Sequence, residues 1–218
     1  GVIGIQELSA ETLTPILLYH VLGEEQTSNM LARGYYNTLR PAQSNFSSLK
    51  VGLTGGVKLN KETTVIAADV DVKNGVIHAI DKVLLPPTVV NHAVNNDSFS
   101  ILVQAVVKAG LAETLGGSGP FTIFAPTNAA FQALFTTLGV TGINDLTAEQ
   151  LTPILLYHVV SGNVRSNQLT AGSVPTLNGN INVTLTPAPR INGTADIIAT
   201  DVQAANGVIH VIDEVLLP

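Results

Sequence analysis

The nine residues LTPILLYHV occur at 13–21 and again, letter for letter, at 151–159. A chain carrying the same run twice is built from repeats, and a repeat limits the fold because each copy presents the same face for burial. The match is wider than nine residues. GVIGIQELSAETLTPILLYHV at 1–21 aligns with GVTGINDLTAEQLTPILLYHV at 139–159, at an offset of 138, with 16 of 21 positions identical. Downstream, NGVIHAIDKVLLP at 74–86 aligns with NGVIHVIDEVLLP at 206–218, at an offset of 132, with two differences. The offset falls by six, so the first copy carries six extra residues between the blocks, in the loops around NMLARGYYNTLRPAQSN.

The copies differ in extent. The second starts near Thr88, just after Pro86-Pro87, and runs to Pro218. The first opens in mid-repeat, and nothing in it matches residues 88–138, which include SFSILVQAVVKAGLAETL and FTIFAPTNAAFQALF. The expected organisation is a partial domain over 1–87 and a complete domain over 88–218. A copy without its first helices and a strand exposes core surface. The expectation is that upstream sequence has been removed, is disordered, or is replaced by a partner, self-association through the incomplete first repeat included.

Composition excludes several function classes. Of 218 residues, 45% are apolar and 12% charged, which suits a well-buried globular protein. A net charge of -6 supplies no basic stripe for nucleic acid or an anionic membrane. No apolar run reaches the roughly 18 residues of a transmembrane helix. Zero cysteines remove disulfides, thiol catalysis and thiolate metal sites together. The sequence opens at Gly1 without a signal-peptide pattern, which a mature secreted chain has already shed. An Asn/Thr/Gly-rich, Lys-poor, cysteine-free chain fits a bacterial surface protein, and the sequons at Asn45, Asn96, Asn182 and Asn192 would matter only in a eukaryotic secretory one.

The complete copy reads as helices first and strands second. TVVNHAVNN forms a short amphipathic helix or turn. In SFSILVQAVVKAGLAETL, with Ser98 as N-cap, Ile101, Leu102, Ala105, Val106 and Ala109 recur at helical spacing. PFTIFAP is a short apolar strand, and Thr127 or Asn128 caps the helix that follows. Thr147 and Gln150 form a capping-box pattern, and Thr152 with Pro153 is a second candidate helix start. From Ser161 the texture changes. Three Asn-Gly pairs separate β-rich runs, the pattern of an antiparallel meander. Helices followed by hairpins give an α+β fold class.

Three blocks in this order, FTIFAPTNAAF at 121–131, LLYHV at 155–159 and NGVIHVIDEVLLP at 206–218, resemble the signature blocks of the fasciclin (FAS1) domain family. The resemblance covers all of 88–218, and covers 1–87 as a C-terminal portion without the first block. It implies a fasciclin-like β wedge or sandwich with several packed helices, in tandem. It also implies a secreted or cell-surface protein that mediates adhesion, without general catalytic chemistry and without a cofactor. The partners implied are a cell-surface or matrix protein or glycan.

Candidate residues follow from both readings. Leu151, Ile154, Leu155, His158 and Val159 share one helical stripe, so His158 reads as a hydrogen-bonded core histidine and Tyr157 as pointing elsewhere, toward a rim. The Thr127-Asn128 turn is the expected partner of His158, and His20, with no such turn in its copy, is expected to lack one. The resemblance also ties the Tyr-His block both to domain integrity and to adhesion. His78 and His210 alternate onto a core or interface face of their strands. Five histidines, four of them repeat equivalents, do not make a zinc site, and no nucleophile-elbow sequence accompanies the serines and aspartates. An adhesion motif of some animal relatives falls on Asp201-Val202 and Asp69-Val70, where only the acid and its branched neighbour match. A turn or strand-end role for Asp201 stands against that reading. The alternative to adhesion is a carrier or receptor that binds a small apolar molecule or a polysaccharide between helices and sheet.

Overall fold

In both copies the repeated run forms a ten-residue helix capped by a hydroxyl. Residues 7–42 and 45–218 are described by a computed structural model, and the chain divides into two compact units, Gly1–Pro87 and Thr88–Pro218. In the first unit, α1 (Ala10–Tyr19) starts where the Ser9 hydroxyl accepts the Thr12 amide. Five antiparallel strands follow: β1 (Gly34–Ala42), β2 (Asn45–Gly52), β3 (Lys58–Leu59), β4 (Thr63–Val72) and β5 (Gly75–Ile80), paired in that order. Tyr19, Leu49, Val51, Leu59 and Leu84 form the unit's core. Among the described residues β5 pairs only with β4, so its other side is an edge.

The six extra residues have a defined place. The Thr38 hydroxyl donates to the Ser47 carbonyl, and in the second unit Thr176 donates equivalently to Gly179. Eight residues (39–46) separate the first pair and two (177–178) the second, so the insertion lengthens the β1–β2 hairpin by six. It falls at the end of the stretch expected from sequence. Asn45 lies in β2, with its side chain outside the described residues.

The second unit opens with α2 (Val89–Val94), α3 (Ser100–Lys108) and α4 (Ala112–Gly116), then β6 (Phe121–Pro126), α5 (Asn128–Leu138) and α6 (Ala148–Tyr157). Strands β7 (Val159–Ser161), β8 (Gly172–Thr176), β9 (Gly179–Thr184), β10 (Arg190–Ile191), β11 (Ala195–Ala204) and β12 (Gly207–Ile212) complete it. The sheet order is β7-β6-β12-β11-β10-β9-β8. The α+β fasciclin-like architecture stands, with one feature the meander does not suggest. β6 pairs with β12 in parallel, in the register Phe121 with Gly207 to Pro126 with Ile212. A parallel pair needs a long crossover, here the whole of α5 to β11.

Several helix boundaries differ from the expected ones. Asn96 caps a short 3₁₀ turn at Asp97–Phe99, and α3 begins only at Ser100, so Ser98 is not its cap. Thr147 and Gln150 make a reciprocal capping box, and α6 runs from there through Pro153 without restarting at Thr152. One proline removes one backbone bond. Thr152 turns its hydroxyl back to the Ala148 carbonyl instead of capping. No helix among the described residues is long and apolar enough to cross a membrane.

Candidate functional site

The Tyr-His pair closes α6 onto the sheet. His158 Nδ1 donates to the Ile154 carbonyl at 2.8 Å, and Nε2 accepts the Leu216 amide at 2.9 Å. The Leu216 N–H can only donate, so Nε2 is the bare nitrogen and the ring is neutral. Burial holds its pKa down at about 4. The partner is therefore the C-terminal segment and not the Thr127-Asn128 turn. That turn is occupied elsewhere: Thr127 caps α5, and Asn128 accepts the Ile101 amide at 3.0 Å while donating to the Asp97 carbonyl at 2.9 Å. His20 makes the same two bonds, to Ile16 and Leu84, at 2.8 and 2.9 Å, so the expected lack of a partner is corrected. Both partners of each histidine lie inside the repeated blocks, which is why the two units agree.

Tyr157 is buried rather than at a rim. Its hydroxyl donates to the Asn180 carbonyl at 2.8 Å and accepts from Asn192 at 3.2 Å. Tyr19 repeats the pattern with Ser48 and Asn60, and burial pushes its phenol pKa upward. The repeated pair thus fastens each helix to one strand, β9 or β2, and to two residues that lie just beyond other strands. Position 157 lies beside the stripe, but the hairpin folds over that side too.

Asp201 and Asp69 take up backbone conformations with φ of 62° and 58°. The Asp201 carboxylate accepts the Ser166 amide at 2.8 Å and the Ser166 hydroxyl, pinning the loop that follows β7. Its own amide faces His210 Nδ1 at 3.5 Å, and His210 Nε2 donates to the Val164 carbonyl at 2.9 Å. The first unit repeats the arrangement with Asp69, Ser28, His78 and Gln26. The Ser28 contacts hold the Asp69 pKa below its ordinary value, and burial lowers that of His210. Of the branched neighbours, Val70 is exposed and Val202 buried. In the folded unit, Val202, Tyr157 and His158 can act on a partner only through the surface they support.

Sequence reading missed Asn206, which looks like a turn residue. It is buried, accepts the Val89 amide at 2.9 Å and donates to the Leu115 and Gly117 carbonyls at 2.8 and 2.7 Å. Beside it, a Cβ on Gly207 would lie 2.1 Å from the Phe121 carbonyl oxygen, so only glycine admits β6 there. No local pattern announces this, because the two clamped segments, at Val89 and at Leu115–Gly117, lie 89 to 117 residues away.

Between α2–α4 and the sheet lies a narrow hollow of about 80 Å³. Val90, Val103, Val106, Ile123, Leu155 and Ile209 line it, and His158 is its one polar lining side chain. Among the described residues no three His, Asp or Glu side chains converge as a metal site would require.

The family model of the Fasciclin domain matches residues 4–86 and 97–218. Protein sll1483 of Synechocystis sp. is 42% identical over 132 residues, covering 60% of this chain and 73% of that protein. The transforming growth factor-beta-induced protein ig-h3 of Sus scrofa is 34% identical over 168 residues, 74% of this chain and 24% of its own length. A fasciclin-like arabinogalactan protein of Arthroderma benhamiae is 32% identical, across 73% of this chain and 37% of itself. Among solved structures, a FAS1 domain pair from the insect cell adhesion molecule Fasciclin I superposes with a TM-score of 0.58 at 21% identity, over 95% of this chain and 81% of that one. That likeness shows the fold.

Proposed function

This chain belongs to the fasciclin domain family, and from that premise we propose that it is a non-enzymatic adhesion or interaction module of an extracellular or cell-surface protein. The observation that carries the reading is the use made of the polar side chains that could do chemistry. Both ring nitrogens of His20, His78, His158 and His210 are engaged by the backbone. Asp69 and Asp201 spend their carboxylates on Ser28 and Ser166. These groups hold loops in shape, which suits a displayed surface better than a reaction centre. The adhesion molecule named for the similar fold points the same way.

The partner class is a cell-surface or matrix protein or a glycan, met by the pinned loops around Ser28 and Ser166. The immobilised 218-residue chain tests this. Saturable attachment of cells, matrix protein or glycan, competed by soluble chain, is the expected result. Absence of saturable attachment to every such partner would overturn it.

The apolar hollow supports a second reading, a carrier for a small apolar molecule. Both nitrogens of His158 are taken, so the lining offers a ligand no hydrogen bond and suits a hydrocarbon chain. Titration with a fluorescent fatty-acyl probe decides it: saturable binding lost in a Val106→Trp variant supports a carrier, and no binding removes it.

A further inference from the structure

The two copies agree at the bonds that hold each unit together, and they part at one place on the surface. Between the stretch after α1 and the strand β1 lies a groove of about 430 Å³, within the roughly 300–1,000 Å³ of small-molecule sites. Glu24, Gln26, Tyr35, Tyr36, Asn37 and Leu39 are among the residues that line it. Both ends of this region keep the same register in the two units. Leu39 donates its amide to the Val21 carbonyl at 2.8 Å, and Leu177 donates to Val159 at 2.8 Å. Between those anchors the lining changes. Gly162 stands in the place of Glu24, Val164 in that of Gln26, and Ser173, Val174 and Pro175 in those of Tyr35, Tyr36 and Asn37.

The openness of this face does not depend on where the first unit begins. Ser173, Pro175 and Leu177 hold the matching places in the complete unit and are exposed there too, Leu177 at 43% against 38% for Leu39. What the first unit adds is the lining. The loop that carries Glu24 and Gln26 is held from behind: His78 Nε2 donates to the Gln26 carbonyl at 2.7 Å, and Asp69 accepts the Ser28 amide at 2.7 Å. Tyr36 is fixed as well. Its hydroxyl accepts the Ala32 amide at 2.8 Å, and its side chain packs against the unit's core. The side chains of Glu24, Gln26 and Asn37, by contrast, make no hydrogen bond to another described residue. Carboxamides and a carboxylate set on a pinned loop and a strand can meet a ligand with little ordering cost.

We propose that this groove is a binding site for a neutral oligosaccharide. A sugar ring presents an apolar C–H face and a rim of hydroxyls. The C–H face packs on an aromatic ring, which Tyr35 and Tyr36 supply, and neighbouring hydroxyls pair with the groups of Gln26, Asn37 and Glu24. Charge selects among sugars. Glu24 brings a negative charge, Glu25 follows it, and among the described residues no Lys or Arg lines the groove, so uronates and sulfated sugars are repelled. A purely apolar ligand is disfavoured too, because it would cover the Glu24, Gln26 and Asn37 groups without pairing them. The inference rests on the reading of the chain as an interaction module, and it names the glycan among that module's partner classes and the place where it is met.

The test titrates trisaccharides of glucose, galactose, mannose and N-acetylglucosamine, with trigalacturonate as the acidic counterpart, into the isotope-labelled 218-residue chain. The expected result is saturable binding of at least one neutral trisaccharide, with amide shifts at residues 22–26 and 35–39, and no binding of trigalacturonate. Tyr35→Ser installs the residue that the second unit carries at the matching place, and Asn37→Ala trims an exposed side chain, so the unit still folds. Each should weaken binding at least tenfold with amide exchange in β2 and β4 unchanged. Glu24→Lys should admit trigalacturonate, and Ser173→Ala, in the second unit, should bind as the unaltered chain does. No saturable binding of any neutral trisaccharide overturns the proposal. So does a preference of the unaltered chain for trigalacturonate, a set of shifts confined to the second unit, or an affinity that Tyr35→Ser leaves intact. Attachment of the immobilised chain to a matrix protein, measured alongside, separates this failure from that of the wider reading. Attachment kept without sugar binding overturns the sugar site alone, and the absence of both overturns the two together.

Discussion

His158 Nε2 accepts the Leu216 amide at 2.9 Å, and through that bond the end of α6 is tied to the chain's last apolar residues. His20 and Leu84 repeat the bond at the same 2.9 Å. What separates the pairs is cover. Leu216 and Leu84 are both buried, but the His158 ring is buried where that of His20 is exposed. The same local geometry therefore carries different free energy, since a lost hydrogen bond is costly where water cannot replace it.

Substitution to alanine should expose that difference. His158→Ala strands the buried Leu216 amide and opens a cavity, costing about 2–4 kcal/mol. His20→Ala also frees the amide of a buried residue, Leu84, but the ring it removes is exposed, so water can enter where the ring stood and the cost should be smaller, about 1–2 kcal/mol. Amide exchange of the α6 and α1 residues in the 218-residue chain reads each unit separately. Equal losses would contradict the argument from burial.

Acid should destabilise the second unit before the carboxylates titrate. His158 has an ordinary pKa of 6.5 and a folded value of about 4, because protonating Nε2 would remove the acceptor for Leu216 and bury a charge. Between those values the unfolded chain takes up a proton that the folded unit refuses. Stability is full above about pH 6.5 and falls as the pH drops toward 4, by about 3 kcal/mol at 1.36 kcal/mol per unit. His210, also lowered by burial, acts in the same direction. Asp145, held low by Thr141, and Glu149, held low by its own amide and the Thr147 hydroxyl, lose their contributions as the pH falls from the ordinary carboxylate range downward. Urea midpoints from pH 7.5 to 4.5 check the slope, and His158→Gln should flatten it.

How much of this was legible in the sequence depends on how far apart the interacting residues lie. The exact repeat gave the phase of each unit, and helical spacing put His158 on the buried stripe. Three ordered blocks identified the family. Adjacent signals such as Thr147 with Gln150 were read correctly, but the weaker Thr152-Pro153 start was overridden by a helix already under way. Partners 58 residues away, as Leu216 is from His158, leave no local trace. The turn dipeptide Asn206-Gly207 concealed a clamp because both of its uses, at a hairpin and under α4, favour the same residues. The parallel β6–β12 pair was hidden for a related reason, since β6 carries no mark of its direction.

The pinned loops give a prediction that separates two roles for Asp201. If the carboxylate contacts an adhesion partner directly, Ser166→Ala should leave attachment unchanged, because the charge remains. If Asp201 positions the loop, Ser166→Ala and Asp201→Asn should both lower attachment, by about tenfold or less, and both should speed amide exchange in residues 162–170. The structure favours positioning, with both carboxylate oxygens already committed to Ser166. Attachment of immobilised variants together with loop exchange rates distinguishes the outcomes.

Asn206 and Asn74 make the sharpest paired comparison, because the residues and their turns are the same and their surroundings are not. Asn206→Ala removes the acceptor for the Val89 amide and the donors to the Leu115 and Gly117 carbonyls. Some of these groups will reach water as α2 and α4 loosen, so the cost should be about 3 kcal/mol rather than the full sum of three unmade bonds. The first effect should appear in α2 and α4 exchange, ahead of any change in β8 or β9, since the clamp joins the helices to the β11–β12 turn. Asn74→Ala acts on an exposed side chain and should change stability by about 0.5 kcal/mol or less. Combining Asn206→Ala with Leu115→Ala should give less than the sum of the two, because both act on the seat of α4. Chemical denaturation with residue-resolved exchange measures all three. A full 3 kcal/mol loss for Asn74→Ala would mean that its turn is clamped as that of Asn206 is, and would contradict the argument from exposure.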